Sequence, residues 1–229
     1  SNGADKLGSG LSVATVAMGN LISSGIQAAL SGIQELGSAI WNLDEATEEY
    51  RVAQGKLTTA FEAAGYSGDA AQKSYTEFYK ILGDTDTATE ASQLLAQLAE
   101  NEQDITKWTN IAAGVYGTFG DALPIEGMIE SANETAKVGQ VTGSLADALN
   151  WVGISEDAFN EKLAACSSES ERNRLIMDTL SGAYDEASSA FYRNNEALVA
   201  SREGQAQLDE TLAGLGETIS LSLIHISEP

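Results

Sequence analysis

The sequence predicts an all-α protein, because apolar residues recur three and four positions apart and strand-like alternation is absent. From Ile33 to Tyr50 the apolar positions form one face of an amphipathic helix. The same period returns further along the chain at Leu94, Leu95 and Leu98; Ile105, Trp108 and Ile111; Leu145, Leu149 and Val152; Phe159 and Leu163; and Leu175, Ile176 and Leu180. We therefore expect long amphipathic helices joined by short Gly/Ser-capped turns, either extended or loosely bundled.

Two helix junctions share one local pattern. The segments Gly65–Ala70 and Gly153–Ala158 each contain a glycine suited to the left-handed conformation, an apolar residue, a serine N-cap and an early acid. Further helix-start signals are two apparent capping boxes, Thr87 with Glu90 and Ser168 with Glu171, and a first-turn proline, Pro124. These signals predict helix breaks near residues 65–68, 83–87 and 153–155.

The pattern divides the chain into four regions. Residues 1–66 hold a glycine-rich apolar segment followed by a long amphipathic helix, 67–166 a multi-helix segment, and 167–219 a long C-terminal helix region. Residues 220–229 resemble a translated sequencing adapter, most clearly in the run Leu221–Pro229. Because the chain also begins at Ser1 without a secretory pattern, we expect an internal part of a longer protein.

The segment from Leu7 to Gln34 carries no formal charge and is long enough to span a bilayer. Polar residues and the glycines at 19, 25 and 32 interrupt it, which lowers its helix propensity and permits close helix contact. The alternatives are a helix packed against copies of itself, a conditionally membrane-active segment and a constitutive transmembrane helix. Self-association is the interpretation that this composition favours.

The residue inventory argues against an enzyme. The single histidine, His225, lies in the adapter-like run, so the remaining sequence offers no imidazole for nucleophilic or metal chemistry. Cys166 stands alone at the end of an apolar stripe, which favours a buried small side chain over a reactive thiol. We expect no catalytic, cofactor-binding or metal-binding residues and no cofactor.

Acidic clusters have simpler explanations than catalysis. The segment Asp84–Glu90 opens like a calcium loop but lacks the glycine and glutamate that such a loop requires, so a turn with an N-cap is favoured. The acids Asp44, Glu45, Glu48 and Glu49 are typical of the solvated face of a helix. A net charge of -22 with 12 Lys plus Arg would repel a phosphate backbone, so we expect no direct nucleic-acid binding.

Two longer runs carry a family resemblance. The sequences QDITKWTNIAAGVYGTFGDALPIEG (residues 103–127) and ADALNWVGISEDAFNEKL (residues 146–163) resemble tape measure proteins of long-tailed bacteriophages and prophages of gut Firmicutes. The similarity extends from about Leu36 to Thr218, and the apolar stretch from Leu11 to Ile33 is also typical of the family.

The resemblance implies a long helical ruler that sets tail length inside the tail tube. It implies assembly in the bacterial host cytoplasm and residence in the virion, in the tail tube lumen. The implied partners are the tail tube protein, tail assembly chaperones, distal tail or baseplate proteins and further copies of the chain, with possible transient membrane contact. The alternative is a membrane-active or translocated helical module, such as a toxin-like or pore-forming segment.

Overall fold

The computed structural model describes the backbone of residues 32–227 and the side chains of residues 47–217. Within that range there is no strand, which confirms the predicted all-α class. The helices in chain order are α1 (Gly32–Ala63), α2 (Gly68–Leu82), α3 (Thr85–Leu98), α4 (Glu102–Phe119), a 3-10 turn (Gly120–Ala122), α5 (Ile125–Val138), α6 (Leu145–Trp151), α7 (Glu156–Ala164), α8 (Glu169–Asn194) and α9 (Glu196–Ser227).

The chain divides into two compact units. One unit, called here the central unit, is Gln54–Val199; the other combines the chain up to Ala53 with the chain from Ala200 onward. The predicted region boundaries at residues 66, 166 and 219 remain predictions. The region after 167 holds two helices, since α8 ends at Asn194 and α9 begins at Glu196.

Both predicted glycine–serine junctions are confirmed. Gly65 and Gly153 have positive φ angles of 87° and 79°, the conformation that glycine adopts without steric cost. Ser67 then caps α2 by accepting a hydrogen bond from Ala70 N at 3.2 Å. Ser155 caps α7 in the same way, accepting from Ala158 N at 3.3 Å. Each junction therefore ends one helix and starts the next with the local chemistry that the sequence indicates.

The predicted cap at Thr87 is wrong, because Asp84 occupies that role. The Asp84 carboxylate accepts hydrogen bonds from both the backbone N–H, at 2.9 Å, and the hydroxyl of Thr87. The Thr87 side-chain and backbone hydrogen bonds hold the pKa of Asp84 below its usual value. Thr87 thus lies inside the first turn of α3, and the break falls between Gly83 and Thr85 as predicted.

The capping box at the start of α8 is confirmed with one shift. Ser168 accepts from Glu171 N at 3.1 Å, while the Glu171 carboxylate reaches back to Ser167 N, at 2.7 Å, instead of the cap residue. The Ser167 backbone and side-chain hydrogen bonds lower the pKa of Glu171. Pro124 stands one position before α5, which begins at Ile125.

A close contact in the central unit joins α4 to α8. A Cβ atom added to Gly114 would lie 2.5 Å from Tyr184 O, 2.9 Å from Tyr184 Cβ and 3.2 Å from Ser188 N. At Gly117 an added Cβ would lie 3.2 Å from Phe191 Cβ. The absence of side chains at these two positions therefore allows the backbones to approach. Around this pair pack α2, α3, α5 and α6, and α1 and α7 add buried residues such as Phe61 and Phe159.

The predicted apolar stripes supply most of that core. Buried members are Leu95, Leu98, Ile105, Trp108, Ile111, Leu145, Leu149, Phe159, Leu163, Ile176 and Leu180. Leu94, Val152 and Leu175 are only half-buried. Cys166 is also half-buried, which corrects the expectation of a buried side chain: α7 ends at Ala164, so Cys166 follows the helix and escapes its apolar face.

The uncharged segment from Leu7 to Gln34 falls almost wholly before residue 32, outside the described residues. Among the helices that are described, none combines the length and apolar character needed to cross a bilayer.

Candidate interaction surface

Trp151 is the most exposed of the large apolar side chains among the described residues. It is 67% exposed, whereas Trp108 in α4 is 0% exposed. The ring of Trp151 packs against that of Phe119, with ring centroids 5.2 Å apart and the planes inclined at 62°. Exposure of so large an apolar side chain to water gives up about 2 kcal/mol of burial free energy. The packing of the fold does not explain this exposure.

Helix α6 presents two faces of different character. Leu145, Ala148 and Leu149 are fully buried in the core. The hydroxyl of Tyr184, on α8, donates to Ala148 O at 2.7 Å and ties this inner face to the α4–α8 pair. Burial raises the pKa of Tyr184 to about 12, so the hydroxyl stays protonated as a donor. The outer face carries Asp147, Asn150 and Trp151, at the i, i+3 and i+4 spacing of helix neighbours.

The end of α6 holds Trp151 in place. Gly153 N donates to Asn150 O at 3.0 Å, and Ile154 N donates to Leu149 O at 3.0 Å. With Gly153 in the left-handed conformation, these two bonds form a Schellman motif, in which Trp151 is the last helical residue. The exposed indole therefore sits on a defined backbone.

An open cleft lies beside the indole, which we call the Trp151 cleft. Its volume is about 450 Å³, within the usual range for ligand pockets of about 300–1,000 Å³. Its lining residues come from the end of α4, the 3-10 turn with the residue that follows it, and the outer face of α6: Phe119, Ala122, Leu123, Asp147, Asn150 and Trp151.

The electrostatics of the Trp151 cleft are negative. Helices α4 and α6 both end at its wall, and neither has a basic residue in its last turn. A helix C-terminus carries about half a negative charge, so both ends favour a cation. Asp147 adds a full charge, and the Asn150 amide links to the Glu156 carboxylate at 3.4 Å.

A second, smaller hollow adjoins the first. It has a volume of about 200 Å³ and shares Leu123 with the Trp151 cleft. Its acids include Asp121 and Glu126, together with the Asp84 carboxylate that already caps α3. The acidic character therefore continues across the 3-10 turn.

The acidic positions weighed in the sequence do not assemble into a reactive site. Asp84 is a helix cap, and Glu48 and Glu49 are exposed on α1. The thiol of Cys166 donates to Lys162 O, in the preceding helix α7, at 3.5 Å. Across the described part of the chain, no group of three or more His, Cys, Asp or Glu residues is arranged to hold a metal ion.

Sequence reasoning did not single out the Trp151 cleft. Trp151 and Asp147 lie in the second run that resembles tape measure proteins, but the stripe Leu145, Leu149 and Val152 accounted for α6 as a packed helix. The signal that could have found the surface is the Asp147–Asn150–Trp151 spacing opposite that stripe. Comparison of the chain with known protein families, with curated proteins and with solved structures gave no match.

Proposed function

We propose that this chain is a segment of a phage tail tape measure protein, a helical ruler and scaffold inside the tail tube. The observation that carries the proposal is the resemblance of residues 103–127 and 146–163 to that family. The helical content of the described residues is compatible with it, as is the strongly acidic balance. Under this proposal the chain has no enzymatic role.

The proposed partners follow from the same role. They are the tail tube protein around the segment, the tail assembly chaperones that hold it before tube growth, distal tail or baseplate proteins, and further copies of the chain. The proposed location is the tail tube lumen, after assembly in the host cytoplasm. Direct nucleic-acid binding is not expected, because the net charge is -22.

A continuous helix and a bundle of packed helices contribute differently to the length of a ruler. A single helix advances about 1.5 Å per residue along its axis. In the central unit, helices pack side by side, so each residue there adds less to the length than a residue in one continuous helix. Helix α9 is one uninterrupted run from Glu196 to Ser227, so a block added there lengthens a single helix.

The test is an insertion series in the phage or prophage that encodes the chain. Residues 200–217 make five turns of a straight helix, so repeating this block keeps the helical faces in register. Three additional copies should lengthen the tail by up to about 80 Å, measured by electron microscopy. Replacing the block with an unrelated amphipathic helix of equal length is the matched control, and it should leave tail length unchanged.

Infectious particles that contain the enlarged protein but have tails of the original length would reject the ruler role. The uncharged run from Leu7 to Gln34 keeps the membrane-active module as the alternative. Release of contents from neutral lipid vesicles by the purified chain, together with unchanged tail length, would favour that alternative.

A further inference from the structure

We propose that the Trp151 cleft binds an arginine- or lysine-bearing polypeptide segment of a partner protein. The cationic head would lie against the exposed face of Trp151, and its aliphatic stem along Phe119 and Leu123. This inference depends on the geometry of the cleft and holds whether or not the chain is a tape measure segment.

The first support is the aromatic wall. The indole is 67% exposed although it packs against Phe119, and this exposure leaves ring surface available to a ligand. Tryptophan is the best of the aromatic side chains for attracting a cation over its face. Long basic side chains also cover apolar surface with their stems while their charge stays at the rim. The wall and the cleft floor therefore suit a basic side chain better than a purely apolar one.

The second support is charge complementarity. None of the six residues lining the Trp151 cleft is basic, and one, Asp147, is acidic. In the sequence from Val115 to Glu156, the acids are Asp121, Glu126, Glu130, Glu134, Asp147 and Glu156, and the only base is Lys137. The ends of α4 and α6 add two helix dipoles of the same sign.

The third support concerns the chain's own basic residues. Lys107 pairs with Asp178 and Arg174 with Glu100, while the Arg172 guanidinium donates to Ala136 O and Lys137 O. Lys80 pairs with Glu77. These interactions hold the four cations away from the cleft, and a second copy, with 12 Lys and Arg against 34 Asp and Glu, is a poor source of a basic segment. The occupant that fits is a basic segment of another protein.

The test uses defined peptides with the full chain. The probe is an acetylated and amidated peptide, Gly-Leu-Arg-Ala-Leu-Arg-Gly, and its counterpart in which citrulline replaces both arginines. Citrulline keeps the shape and removes the charge. We expect the arginine peptide to bind about tenfold more tightly, since it gains both a cation–π contact and an ion pair. Binding is measured by calorimetry at physiological ionic strength, and the site by NMR shifts at residues 119–123 and 147–151.

Three variants locate the binding and separate its components. Trp151→Ala should lower the affinity for the arginine peptide by about tenfold. Trp151→Leu should lower it by about fivefold, because leucine restores apolar surface without the ring face. Asp147→Asn should weaken it by about twofold to fivefold. Glu169→Gln is the matched control: Glu169 is an exposed first-turn acid of α8 outside the cleft, and its loss should leave the affinity unchanged.

Several results would overturn the proposal. Equal affinity for the arginine and citrulline peptides would show that charge is not recognised. Equal weakening by Asp147→Asn and Glu169→Gln would show attraction to the net charge alone. Binding of the chain to neutral phosphatidylcholine vesicles that is lost in Trp151→Ala, without peptide binding, would assign the indole to a membrane surface.

Discussion

Trp108 and Trp151 belong to two helices with the same apolar periodicity, yet one side chain is buried and the other is exposed. Trp108 lies on α4, in the core around the α4–α8 pair, and is fully buried. Trp151 lies at the end of α6 and is 67% exposed above an open acidic cleft. The difference shows that an apolar residue near a helical stripe need not be a core residue. The core supplies stability, and the outer face of α6 presents a surface for a partner.

Trp108→Ala should produce the largest loss of stability. Truncating a fully buried tryptophan removes its burial free energy and leaves a cavity, so we expect the free energy of unfolding to fall by about 3–5 kcal/mol. The measurement is urea denaturation monitored by far-UV circular dichroism. Trp108→Phe is the milder companion, because it keeps a ring and removes an indole N–H that has no hydrogen-bond partner. A loss below about 1 kcal/mol in Trp108→Ala would contradict the buried placement.

Gly114→Ala tests the close approach of α4 and α8. The added methyl would meet backbone and Cβ atoms of Tyr184, which cannot move independently of α8, so we expect a loss of about 1–3 kcal/mol. Gly182→Ala is the matched control within α8, since an added Cβ there meets nothing within 4 Å. That substitution should be neutral or stabilise the helix by up to about 1 kcal/mol. Equal effects of the two substitutions would remove the case for a tight contact.

Alkaline pH should lower the free energy of unfolding through two tyrosines, Tyr184 and Tyr192. Burial raises the pKa of Tyr184 and that of Tyr192 to about 12, from about 10 in the unfolded chain, and Glu77 contributes to the shift at Tyr192. Above pH 10 the unfolded chain loses these protons while the folded chain keeps them, so stability is full below pH 10 and falls towards pH 12. Each tyrosine adds a slope of up to about 1.4 kcal/mol per pH unit. Urea denaturation at pH 9, 10 and 11 measures this slope, and Tyr184→Phe should reduce it. An unchanged slope in Tyr184→Phe would contradict the raised pKa of Tyr184.

Tyr184→Phe at neutral pH should have a smaller effect. It removes the hydrogen bond to Ala148 O and leaves a buried carbonyl without that partner, so we expect a loss of about 1 kcal/mol. Because this bond links α8 to α6, amide exchange should accelerate in α6 more than in α2. Uniform acceleration throughout the central unit would indicate a general loss of packing instead.

The sequence was sufficient for what local chemistry determines. Ser67, Ser155 and Ser168 act as caps because each meets the N–H groups of its own first turn. At α3 the pattern of Thr87 with Glu90 assigned the cap to Thr87, but Asp84, directly after Gly83, occupies that position. Gly114 could not be predicted as a contact, since its partner Tyr184 lies far along the chain. The exposure of Trp151 depends likewise on where α6 packs, which periodicity does not specify.

Trp151→Ala tests the contrast between the two regions most directly, because it is expected to separate stability from binding. The side chain is largely exposed, so the free energy of unfolding should change by less than about 0.5 kcal/mol, the smallest effect in this series. The same variant should bind the arginine peptide about tenfold more weakly. Unfolding and calorimetry on one preparation give both values. A loss of stability comparable to that of Trp108→Ala, with peptide affinity unchanged, would contradict the account and make Trp151 a packing residue.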